Sequence, residues 1–534
     1  MMSDPPLRSE FVARFGGTAR TGAFATLALS GLIGYYVGSR AFPEWQVPVE
    51  TAQVLAGIVR YPPGNPFLIY HLKLWTILHQ ICAALLAAGV SEARLSIWLS
   101  GATGMLSFQA LAMTAYAFTR TIWLSVAISI VVFLSGATNY GIRYPIFLLG
   151  TSHTYGSVGL SWIVLVAALL GCGRYRTALL FLGLAPAIHP SLGIWLGVIA
   201  ALAFASDRQT VTTHILPNWR WFSAGALVTA TSLALHLWTG RHVPAIDSST
   251  AAQYLSTFTA VWDEHRQPMG FGNAGAALNV IAVLSGVVWL MWFSKRLPPS
   301  AAFVLRFVIA SGVVGLACIA LSHVPPDRLP GFLVVLMPTR VVNVDVMMFA
   351  ALGFGILGMY RNVPARVLLI ATMAGLVLSH HNLSSLLHPQ LRTTEVAFRD
   401  RTNDALLATA GRGRGMLLTG GDLHLVQLRT RRPVVLDGGG LDGLPYALAG
   451  GPEMARILRD VYDIDFFTPP DEAHGVGVIP SSYNRRIWEA YSQERWQEIR
   501  RKYNVSQVMT YNDWTLRLPI VAQNARYLLY EIPE

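Results

Sequence analysis

The first 380 residues consist of apolar stretches set so close together that few fold classes remain open to them. Stretches over 21–39, 95–118, 122–138, 157–172, 176–188, 191–205, 221–238, 273–293, 303–322, 341–360 and 365–379 carry almost no charge. A helix that crosses a bilayer needs about 20 mostly apolar residues. Inside lipid, backbone polar groups must be satisfied within the segment or in a closed barrel. The pattern predicts a polytopic α-helical membrane protein with about 11 transmembrane helices. Two of the stretches, 176–188 and 191–205, are short and meet at His189–Pro190, so a shallow hairpin or a broken helix is the alternative there. Arg8, Arg14 and Arg20 precede the first stretch, which has spanning length and no clear small-residue cleavage site. It reads as an uncleaved first helix entering from the cytoplasm.

Charge divides the chain in two. Residues 1–380 hold 22 Lys/Arg against 11 Asp/Glu, whereas 381–534 hold 18 of each, so the whole net charge of +11 lies in the first part. Only 13% of the chain is charged, about half the fraction usual in soluble proteins. Residues 1–380 therefore read as a basic, lipid-embedded domain, and 381–534 as a water-soluble domain. The arginines are scattered between apolar runs, which excludes a nucleic-acid-binding module. Cys82, Cys172 and Cys318 lie far apart, which argues against a disulfide framework or a structural zinc site.

Sidedness turns on residues 67–88, which are apolar enough to span yet carry His71, Lys73, His79 and Gln80. The one-sided polarity suits a helix lying in the interface plane. If it does not cross, twelve basic residues fall on cytoplasmic segments, as the bias of Lys and Arg toward the cytoplasm requires. The N-terminus is then inside. The loops 40–94, 139–156, 239–272 and 323–340, together with the tail, are outside. Apolar runs at 415–419, 433–436, 506–509 and 527–531 predict strands in the tail, and 452–463 and 485–502 predict helices, an α/β pattern.

Nine basic residues remain on the outer side, where orientation does not call for them, and an anionic lipid head group would. Arg340, at the outer start of a span after Pro338, is placed to hold a phosphate as a fork. Arg143, His153 and Tyr155 lie in the second outer loop, and His189 lies before Pro190. In the third, Trp262, Asp263, Glu264, His265 and Arg266 set four ionisable groups beside an indole, a pattern suited to a sugar face or to a solvated charge run. Asp463 and Asp465 match a nucleotide-sugar DxD on the wrong side of the membrane. Gly438–Gly440 fit no phosphate-binding pattern. His380, His381 and His388 form no helical zinc pair with a Glu.

An N-terminal helix from the cytoplasm, a long outer loop with an interface helix, further spans and an outer C-terminal domain together resemble the GT-C class of membrane glycosyltransferases. Protein O-mannosyltransferases, the aminoarabinose lipid A transferase and oligosaccharyltransferase catalytic subunits belong to that class. The resemblance implies a GT-C-like membrane domain and inverting transfer of a sugar from a polyprenyl-phosphate donor to a glycan, lipid or protein acceptor, on the periplasmic face of a bacterial inner membrane. It also implies a carboxylate in the first outer loop as catalytic base or metal ligand. The class usually offers Asp there; this loop holds only Glu in AFPEWQVPVETAQ, with Glu50 the first choice as base and Glu44 the second. The residues require no cofactor, and a divalent metal would help only if a second carboxylate joined Glu50. A surface-polysaccharide polymerase or ligase using lipid-pyrophosphate donors is the alternative enzyme. A non-catalytic GT-C-like subunit is the alternative outside catalysis.

Overall fold

A computed structural model describes residues 7–73, 75–135, 148–152, 155–263, 265–360, 362–378, 398–437 and 439–534. The first helix, α1 (Leu7–Tyr36), unwinds into a π turn at Val37–Ala41. Three short helices follow: α2 (Val47–Leu55), α3 (Pro66–Lys73) and α4 (Ile77–Ala87). The bundle continues with α5 (Glu92–Thr119), α6 (Ile122–Leu134), α7 (Tyr155–Gly171), α8 (Tyr175–Ile188) and α9 (Pro190–Ala205). One turn, α10 (Arg208–Thr210), leads to α11 (Trp219–Thr239), the loop helix α12 (Ser248–Thr257), α13 (Ala274–Trp292) and α14 (Pro299–Ser322). The short α15 (Gly331–Val335), α16 (Val342–Met359) and α17 (Val363–Leu378) complete it.

The centre of the bundle is α5, packed on α1, α6, α7 and α16. Small residues permit the closest of these contacts. A Cβ at Gly34 would collide with the backbone of Gly104, and one at Gly38 with that of Ser100, the kind of helix approach that small residues allow in membranes.

Apolar helices stand where apolar stretches predict them, but the count of 11 spans is corrected. Among the described residues four helical segments are long and apolar enough to cross a membrane: Thr21–Ala41, Ala274–Trp292, Pro299–Ser322 and Pro338–Met359. Two bent pairs bring the number to six if each is one span: Pro66–Lys73 with Ile77–Ala87 at 108°, and Pro190–Ala205 with Arg208–His242 at 105°. The shortfall has two physical causes. The helices α6, α7, α8 and α17 have 13, 17, 14 and 16 residues, at or below the lower limit for crossing about 30 Å of hydrocarbon at 1.5 Å per residue. In α5, Ser, Thr, Gly and Gln residues dilute the apolar ones, with Gly101, Gly104 and Gln109 against α1 and Ser107 against α7, so that it is long but insufficiently apolar. Residues 67–88 do not form the single interface helix expected. They break at Trp75–Thr76, where the Thr76 N–H donates to His79 Nδ1 at 2.9 Å in a capping box that starts α4 in a new direction.

The tail holds a four-stranded sheet in the order β1–β2–β4–β3, with β1 (Met416–Thr419), β2 (Val505–Tyr511), β3 (Ile520–Gln523) and β4 (Tyr527–Glu531). β1 and β2 are parallel and the other pairs antiparallel. Residues 433–436 contribute only an isolated bridge, Val434 to Leu417. The helix expected over 485–502 is two, Ser481–Ala490 and Gln493–Tyr503, because Ser492 caps the second by accepting from the Arg495 N–H.

The tail's core is shared with the membrane domain's loops. Val59, Tyr61, Phe67, Tyr254, Phe258 and Trp262 pack in one cluster with residues of the sheet and its helices. Polar links reinforce the seam. The Tyr61 hydroxyl donates to Gln427 Oε1 at 2.6 Å, Gln427 Nε2 donates to the Glu50 carbonyl at 3.0 Å, and Arg431 forks onto Glu92 at 2.5 and 2.9 Å. The expected boundary at 380/381 lies outside the described residues.

Candidate functional site

A cavity of about 640 Å³ opens where the tail meets the bundle. Its lining comes from the first loop (Tyr70, Lys73, Thr76, His79), the α8–α9 turn (His189, Ser191), α11 (Ser232, His236), Arg340 and the tail (Asp442, Tyr446). Ile194, Leu233, Phe332, Val335 and Leu336 form an apolar wall.

Local rules place each polar group. Pro190 sits at the first position of α9, and His189 is extended before it (φ −146°, ψ 103°), as the residue before a proline must be. The His189 ring caps the helix: Nδ1 accepts from the Leu192 N–H at 3.2 Å. That bond leaves the proton on Nε2, which has no hydrogen-bond partner among the described residues. His79 is fixed alike, with Nδ1 accepting from the Thr76 N–H. Tyr155 stacks on His189 with centroids 4.4 Å apart and 21° between planes. Arg340 is in the 3-10 turn Pro338–Val341 that opens α16, nearly buried in the cavity wall. Lys73 ends α3, close to His236 across the cavity. The lining thus has two permanent cations and three imidazoles against one carboxylate, Asp442. The surface suits an anion that carries an apolar chain.

The residues singled out from sequence divide unequally. Arg340 lies in the cavity wall, as do Tyr155 and His189. Arg143, His153 and Glu264 lie outside the described residues. Glu44 has its backbone N–H on Ser100 Oγ at 3.2 Å and its side chain half-buried, apart from the cavity lining. Glu50 is 5% exposed, and its Oε1 has no hydrogen-bond partner among the described residues. Val47 and Pro48 of the same helix line the cavity, but Glu50 does not. Burial drives its pKa well above the usual carboxylate value, and the nearby Asp437 carboxylate adds to the rise. Asp437 is likewise raised by burial. No group of three or more His, Cys, Asp or Glu suited to a metal exists among the described residues.

Among the described residues of the third-loop cluster, Trp262, Asp263 and Arg266 are packed inside rather than open to a sugar or to solvent. Trp262 is fully buried; its indole N–H donates to the Phe466 carbonyl at 2.9 Å and its ring stacks on Phe466. Asp263 and Arg266 form a buried ion pair, and the His265 backbone N–H donates to Asp263 at 2.7 Å. Arg266 Nη1 lies 4.0 Å from Asp442 Oδ1, and its guanidinium carbon lies 5.3 Å from the centre of the Tyr446 ring. Trp262 and Arg266 thus join the third loop to the tail, with Arg266 next to the cavity's carboxylate.

Lys73 and Asp442 were not expected at the site. Lys73 is legible as one of three lysines in the chain and the one inside an apolar stretch. Asp442 stands in GGGLDGLPY, a glycine-rich turn that reads as a loop and no more. No protein-family model matches this chain, and no curated protein matches it in sequence.

Proposed function

We propose that the protein is an inverting glycosyltransferase of a bacterial inner membrane that takes a sugar from a polyprenyl-phosphate donor. The N-terminus is cytoplasmic and the tail periplasmic in this reading, so the cavity serves donors presented in the outer leaflet. The observation that carries it is the pairing of Lys73 and Arg340 with an apolar wall in one cavity at the seam of bundle and tail. A polyprenyl phosphate needs both. Its phosphate requires fixed positive charge, and its chain requires a surface without polar groups.

The chemistry follows from charge. As the bond from the sugar's anomeric carbon to the phosphate oxygen breaks, negative charge grows on the departing lipid phosphate. Lys73 and Arg340 stabilise that charge, and the N–H groups of His189 and His79 add neutral donors. Preorganised donors of this kind are worth roughly 10²–10³ in turnover each. Sugar transfer by the full chain in proteoliposomes, supplied with polyprenyl-phosphate-linked sugars, tests the reading. R340Q and K73Q should each lower turnover by about that factor. Full turnover in both variants would overturn it.

A further inference from the structure

We propose that Asp442 of the tail is the general base that takes the acceptor's hydroxyl proton, so that the C-terminal domain completes the active site. The inference rests on reading the cavity as a polyprenyl-phosphate-sugar site.

Asp442 is the one carboxylate in the described cavity lining. Three buried carboxylates outside the lining have partners of their own. Glu92 is forked by Arg431, Asp263 is paired with Arg266, and Asp345 accepts from Ser311 at 2.6 Å inside the bundle. Glu50 and Asp437 are buried and absent from the lining. A base must come within about 3 Å of the proton it removes, directly or through one water, and among the described carboxylates Asp442 alone combines a place in the lining with an open side chain, 51% exposed.

The turn carrying Asp442 lies against α3 so tightly that a Cβ at Gly440 would collide with Phe67, and one at Gly443 with Tyr70. Glycine at these two positions brings the backbone onto the helix that ends in Lys73, which puts base and cation in one cavity. Arg266 Nη1 lies 4.0 Å from Asp442 Oδ1, beyond hydrogen-bond reach, so the carboxylate keeps its hydrogen-bonding capacity for the acceptor.

The step balances. The acceptor oxygen forms a bond to the anomeric carbon, and the bond from that carbon to the phosphate oxygen breaks. Its electron pair leaves with the polyprenyl phosphate, beside Lys73 and Arg340. The acceptor's proton passes to Asp442 and from there to water through the exposed side of the carboxylate.

The test compares the wild type with D442N, D442E and E50Q as full chains in proteoliposomes, using a panel of polyprenyl-phosphate-linked sugars. D442N should lose about 10²–10⁴ in turnover, with the donor KM within about twofold and the acidic limb of the pH–rate profile abolished. D442E should recover part of the rate, and E50Q should keep wild-type turnover. Protease resistance of the tail identifies a variant that has not folded; D442E then carries the comparison, with a lowered rate and a displaced acidic limb expected. Wild-type turnover and an unchanged pH profile in D442N or D442E, or a dead E50Q beside an active D442N, would overturn the inference and leave the proposed function standing. A wild type inert with every donor while its tail is folded would overturn the proposed function itself.

Discussion

Replacing Arg266 by Ala tests the seam on which the site depends. The side chains of Arg266 and Asp263 are 3% and 2% exposed, so the substitution strands a buried carboxylate that, among the described residues, keeps the His265 N–H at 2.7 Å. Removing one member of a buried pair costs about 3–5 kcal/mol. D263A strands the guanidinium instead, with Asp442 at 4.0 Å and the Tyr446 ring as its remaining partners, and should cost a similar amount. The double replacement leaves no buried charge, so it should cost less than the sum by about 2 kcal/mol. The assay is thermal unfolding of the tail in detergent, followed by protease resistance and by emission from the buried Trp262, Trp488 and Trp496. Each single variant should lower the midpoint by on the order of 10 °C. The double should lie well above the additive value. Strict additivity, or single variants that unfold like wild type, would refute the reasoning that this pair pins the tail.

Two further predictions concern the same seam. Gly443→Leu should lift the turn off α3, because its side chain would occupy the space of the Tyr70 ring; a tail that stays protease-resistant with full sugar transfer would contradict this. Burial holds the Glu50 and Asp437 carboxyls above their usual values, so between about pH 4 and those raised values the folded protein holds protons that the unfolded chain releases. Stability of the docked tail should therefore fall as pH rises from about 4, and E50Q should flatten that slope. A flat or rising wild-type profile over pH 4–8 would rule the argument out.

How much was legible in sequence depended on whether local chemistry or tertiary packing set the outcome. The turn at His189–Pro190 was legible because proline restricts the residue before it, and Arg340 because a cation beside a span is costly without a role. The strands at 416–419 and 527–531 followed from short apolar runs between turns. The number of spans did not follow. An apolar run reads alike whether its helix crosses lipid or ends short inside a bundle, as α6 and α8 do. The role of WDEHR was hidden for a related reason. Four ionisable residues in a row look solvated until a second segment, more than 170 positions away, arrives to bury two of them. Asp442 was hidden most completely, because the glycines that bring it to α3 look like ordinary turn residues until Phe67 and Tyr70 are placed opposite them.

The central claim is that the cavity binds a polyprenyl phosphate through Lys73 and Arg340 while its sugar leaves. The most direct measurement is the release of free polyprenyl phosphate, counted against sugar transferred, from proteoliposomes holding the full chain. The account predicts one phosphate-bearing lipid for each sugar, with initial rates lowered roughly 10²–10³-fold in R340Q and in K73Q. Rates unchanged by both substitutions, or no release from any polyprenyl-phosphate sugar, would contradict it.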